Sequence, residues 1–98
     1  AIPHVVEAAG FKILEGLTGH GGGVEVHEDP VIYNFGERGK GMKLEEGMVL
    51  AIEPMTSLTS AKAIQFGDDS FRTADSSIAA HFEHTVLVTK KGAEILTE

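Results

Sequence analysis

The 98-residue chain contains no cysteine, so it has neither a disulfide nor a thiolate site, and any metal it binds must be held through nitrogen and oxygen. That composition fits a reducing cytoplasm. Cations are scarce: 8 Lys and Arg against 15 Asp and Glu leave a net charge of -7, the opposite of the clustered positive charge that tracks a phosphate backbone. Nucleic acid is therefore a poor partner and a cation an easy one. Long apolar runs are also missing. The longest, Met48 to Ile52, falls far short of the roughly 20 residues of a spanning helix, and no basic, apolar leader opens the chain. No membrane association is expected. Repeats and low-complexity tracts are absent too. What remains, with 42% hydrophobic and 23% charged residues, is the composition of one small soluble domain with a modest core.

Read in order, Ala1 to Ala9 has helical character, with Val5, Val6 and Ala9 on one side and Gly10 as the stop. It lacks a capping residue at its start, as expected of a chain that begins partway through a longer element. Phe11 to Leu17 is strand-like and leads into a glycine-rich stretch, Gly19 to Pro30, that reads as a loop. Tyr33 to Gly41 is an exposed connection, and Met42 to Gly47 a turn. Met48 to Met55 is continuously apolar apart from Glu53, as in a strand covered on both faces, and Pro54 ends its regular pairing. Thr56 to Phe66 is moderately strand-like, Gly67 to Ser70 is a turn, and Phe71 to Thr73 begins a return strand. Ala80 to Thr89 alternates as one strand, with His81, Glu83, Thr85 and Leu87 on one face and Phe82, His84, Val86 and Val88 on the other. Lys90-Lys91-Gly92 turns the chain into a short edge strand, Ala93 to Leu96.

Three side chains stand out chemically. His20 sits among glycines that leave the backbone open to close approach, while Glu53 and Glu83 interrupt apolar runs with no cation beside them. One imidazole and two carboxylates suit Mn, Fe, Co or Zn. On chemistry alone they are equally at home as a loop histidine and two solvated strand-end carboxylates. His27, beside Glu28, fits either a proton carrier or a turn histidine. His81 shares a face with Glu83 and stands within reach of a metal's outer ligand sphere, or is a polar strand residue. His4 and His84 read as packing or surface groups. Gly21-Gly22-Gly23 lacks the Lys and Ser/Thr of a phosphate-binding loop.

In order and spacing, Gly19-His20-Gly21-Gly22-Gly23 with Val26-His27-Glu28-Asp29-Pro30, then Leu44 to Met55, then Phe82-Glu83-His84-Thr85 to Thr89, resembles the C-terminal half of a type I methionine aminopeptidase, over nearly the whole chain. The resemblance implies an α+β, pita-bread (creatinase/aminopeptidase-like) fold with residues 1–98 as its C-terminal half, mainly antiparallel sheet with an N-terminal helix. It implies two divalent ions (Co, Mn, Fe or Zn), with His20, Glu53 and Glu83 as metal ligands and Glu83 bridging the pair. Glu53 would also move protons to and from the attacking water, and His27 would contact the scissile peptide. Two aspartate ligands and a further histidine belong to the family's N-terminal half; Asp29, Asp68, Asp69 and Asp75 do not reproduce that aspartate motif. Gly22 replaces the usual bulky aliphatic, and Val24 a common arginine.

The activity so implied is removal of N-terminal methionine from nascent polypeptides in the cytoplasm, with these 98 residues inactive alone. The alternatives are a proline-directed peptidase of the same fold, such as a prolidase or aminopeptidase P, and a non-catalytic pita-bread binding module. The face left bare by the absent half also raises a homodimer of the 98-residue piece as an expectation.

Overall fold

The computed structural model describes residues 2–68 and 70–98, so the expectations that fall on Ala1 and Asp69 lie outside the described residues. Helix α1 (Ile2–Ala8) is closed by Gly10 at φ +88. The Gly10 amide donates to the Glu7 carbonyl at 3.0 Å and the Phe11 amide to that of Val6 at 3.2 Å, the paired bonds of a glycine stop.

Among the described residues ten strands follow: β1 (Lys12–Ile13), β2 (Gly19–Gly22), β3 (Glu28–Ile32), β4 (Val49–Ile52), β5 (Met55–Ser57), β6 (Ala63–Gln65), β7 (Phe71–Thr73), β8 (Ala79–His81), β9 (His84–Thr89) and β10 (Gly92–Ile95). They form a five-stranded sheet ordered β10-β9-β4-β2-β3, a three-stranded sheet ordered β1-β5-β8, and the β6-β7 pair. Every pairing is antiparallel. Leu50 and Ala51, on the central strand β4, are buried, and Ile13 and Leu14 add a second small cluster beside the three-stranded sheet.

Strands β4 and β9 continue the pairing of β5 and β8 across a short break. Ile52 stands opposite His84 on one side of it and Met55 opposite His81 on the other, in unchanged register. Pro54 has no amide hydrogen to give, and its carbonyl accepts the Phe82 amide at 3.3 Å. Between the two sheets, therefore, Glu53 is left facing Glu83 and Pro54 facing Phe82. The expected single strand from Ala80 to Thr89 is in fact two, parted at Phe82-Glu83.

Several other expectations are corrected. In the 11–17 segment the strand is confined to Lys12 and Ile13; the Leu14 amide still donates to the Met55 carbonyl at 2.9 Å before the chain turns at Gly16, at φ +85. The 56–66 segment divides into β5 and β6. The glycine-rich stretch is mostly sheet: β2 lies between β3 and β4, and only residues 23–27 are a loop. Its glycines serve packing. A Cβ on Gly19 would come within 2.2 Å of the Ala51 carbonyl oxygen, and one on Gly21 within 2.2 Å of the Asp29 carbonyl oxygen.

The 33–41 connection, the return strand at Phe71–Thr73, and the turn into β10, which lies at a sheet edge, occur where expected. In two exposed turns, hydrogen bonds hold a carboxylate below its ordinary pKa: from the Thr59 hydroxyl and then Ser77 for Asp75, and from the Ser70 hydroxyl and amide for Asp68.

Candidate metal centre

Residues directly opposite in an antiparallel pair project from the same face of the sheet, and like charges there repel. Glu53 and Glu83 hold such positions at the break between the sheets. On the other side of β4, His20 of β2 pairs with Ala51, two residues before Glu53, which makes the histidine a diagonal neighbour of that carboxylate. Strand pairing thus brings together three residues from distant parts of the chain. One ligand atom each from His20, Glu53 and Glu83 lie within 4.8 Å of one another.

The hydrogen bonding of His20 tests whether these groups suit a cation. Its Nδ1 lies 2.9 Å from the Gly21 carbonyl oxygen, which can only accept, so Nδ1 carries the hydrogen and Nε2 is the ring nitrogen left to present a lone pair to a cation. Nε2 faces Glu53 Oε1 at 2.9 Å. A nitrogen and a carboxylate oxygen at this separation share a positive centre, either a proton or a metal ion, and donors each about 2.0–2.2 Å from one ion lie about 3 Å apart when adjacent around it. The side chains of His20 and Glu53 are only 18% and 13% exposed, which raises the cost of leaving the charge unmatched. Among the described residues, none lining the surrounding cavity of about 450 Å³ is Lys or Arg. One nitrogen and two carboxylates, in a place that needs positive charge, fit a divalent ion.

His27 joins the same cavity from the 23–27 loop. Its ring lies 4.2 Å from that of His20, centroid to centroid, tilted by 47°. The loop is held by Glu28, whose Oε2 accepts the amides of Val24 at 2.8 Å and Glu25 at 2.9 Å. Glu28 is thus a clasp on the loop that carries His27, a role not assigned from the sequence. The only cue was its place three and four residues after those amides.

The sequence profile of "Metallopeptidase family M24" matches residues 1–90. The chain belongs to metallopeptidase family M24. Among M24 relatives, the methionine aminopeptidase of Mycoplasma capricolum subsp. capricolum is 46% identical over 99 residues, spanning 99% of this chain and 39% of the relative. That of Clostridium perfringens is 48% identical over 98 residues, spanning 98% and 39%. The crystal structure of methionine aminopeptidase from Thermotoga maritima superposes with a TM-score of 0.92 at 48% identity, covering 99% of this chain and 39% of that one. For the enzyme from Rickettsia prowazekii the TM-score is 0.91 at 38% identity, covering 97% and 39%. The pita-bread expectation holds: this M24 chain has the architecture of the methionine aminopeptidases, over about two fifths of their length.

Proposed function

We propose that the protein carrying this chain is a methionine aminopeptidase that hydrolyses the first peptide bond of nascent polypeptides beginning with methionine, using two divalent ions drawn from Co, Mn, Fe or Zn. The convergence of His20, Glu53 and Glu83 carries this reading, in a chain whose relatives bear that name. Residues 1–98 are its C-terminal half. The remaining ligands are aspartates of an N-terminal half, and without them these 98 residues are inactive.

Bound divalent ions supply an acidified water and polarise the scissile carbonyl. The protein's own groups do the rest. The Gly21 carbonyl holds the His20 tautomer that directs a lone pair from Nε2 into the site. The Glu53 carboxylate takes the proton of the attacking water and returns it to the leaving amine. The His27 ring, exposed to the cavity, donates a hydrogen bond to the carbonyl oxygen as negative charge gathers there. Glu28 keeps that ring at the cavity wall by fixing its loop.

The test is methionine release from Met-Ala-Ser by the full-length protein, stripped with a chelator and restored with Mn(II). Release should return only with the metal, and Glu53→Gln should lower it by about 10²-fold or more. Preferential cleavage of Ala-Pro would instead make the protein a proline-directed peptidase. Metal binding without turnover of either substrate would make it a binding module.

A further inference from the structure

Glu53 is bracketed by two imidazoles, one at each carboxylate oxygen. His20 Nε2 approaches Oε1 at 2.9 Å, and His81 Nε2 approaches Oε2 at 3.3 Å. The second imidazole also stands 4.0 Å from Glu83 Oε2, so it faces both carboxylates of the opposed pair. Its placement comes from the sheet. His81 ends β8 opposite Met55 of β5, beside the break that leaves Glu53 facing Glu83. The His81 side chain is 41% exposed and that of Glu53 13%.

We propose that His81 is a positioning residue: its Nε2 hydrogen is donated to Glu53 Oε2 and turns the carboxylate so that Oε1 is presented on the His20 side. A glutamate has three rotatable side-chain bonds and two equivalent oxygens, and an unanchored carboxylate must lose that freedom whenever it takes up an ion. A fixed donor on one oxygen removes most of this loss before the ion arrives, which is why groups that hydrogen-bond to ligating carboxylates typically govern affinity by 10- to 100-fold. A carboxylate offers about four lone-pair sites, so accepting from His81 leaves Glu53 free both to meet an ion and to take a proton from water.

The inference rests on the proposed metal function, and its test reads metal binding rather than turnover. Calorimetric titration of the metal-free, full-length protein with Mn(II) alone would compare the parent with His81→Asn and His81→Gln, with a circular dichroism melt to show that each variant is folded. A glutamine amide can place its N–H near the position of Nε2, whereas the shorter asparagine cannot. His81→Asn should bind Mn(II) about 10- to 100-fold more weakly, and His81→Gln should return to within about threefold of the parent. Parental affinity in the Asn variant would overturn the proposal. So would a Gln variant as weak as Asn, the result expected of a direct ligand. A parent that binds no Mn(II) would refute the metal function itself, and the role of His81 with it, a result distinct from either of these.

Discussion

At the scale of single residues, the glycines around His20 differ sharply in what they permit. Gly19 and Gly21 are pressed against backbone carbonyls of neighbouring strands, and a methyl group at either would force backbone apart. At Gly22 the nearest atoms to an added Cβ are the Glu25 and Val26 carbonyl oxygens, both at 3.8 Å, which is ordinary contact. A glycine inside a strand gives up roughly 0.5–1 kcal/mol relative to alanine through lost chain entropy. Gly22→Ala should therefore stabilise the full-length protein by up to about that amount. Gly21→Ala should destabilise it by about 1–3 kcal/mol, the cost of overpacking, and should weaken Mn(II) binding because β2 carries His20. Urea unfolding with and without the metal checks both.

At the scale of elements, the site joins strand β2, the break between the two sheets and one clasped loop, and the loop is separable from the proposed metal ligands. Glu28→Ala removes the acceptor for two amides of the 23–27 loop but touches none of the three converging groups. It should lower kcat/KM for Met-Ala-Ser by about tenfold, through misplacement of His27, while leaving Mn(II) affinity near the parent value. A matching fall in metal affinity would mean that the loop supports His20 as well. The chemistry of this region was more legible in the sequence than its shape. His20, Glu53 and Glu83 stand out because their residue types clash with their surroundings, and Pro54 marks the end of a strand because a missing amide hydrogen is a local property. The Gly19–Gly22 strand was not legible as one, since its glycines answer to the carbonyls of strands far along the chain and leave no alternation of apolar side chains to read. The parting of β8 from β9 was hidden for a similar reason: 81–89 alternates throughout, and only the proline opposite Phe82 shows why pairing lapses.

At the scale of the molecule, the accessible surface is 7157 Å², against about 5,400 Å² for a folded monomer of 10.4 kDa. The excess is about twice the roughly 800 Å² that each partner contributes to a standard interface. Apolar side chains account for part of it, with Val5 68%, Ile78 76% and Phe82 68% exposed. Exposed apolar surface of this extent is the kind a partner covers, and the proposed N-terminal half is the candidate. The 98 residues produced alone should bind the dye ANS strongly or self-associate in light scattering. Co-production with the proposed N-terminal half should suppress both; a dye-silent monomer would refute the need for a cover. The join between the two sheets has a separate consequence. Glu53 meets Glu83 because the strands on either side of the break keep step, not because of the length of chain between them. The number of residues in the excursion from Leu58 to Ile78 therefore does not decide which residues of the two strands face each other, so its length can change while the two carboxylates stay face to face.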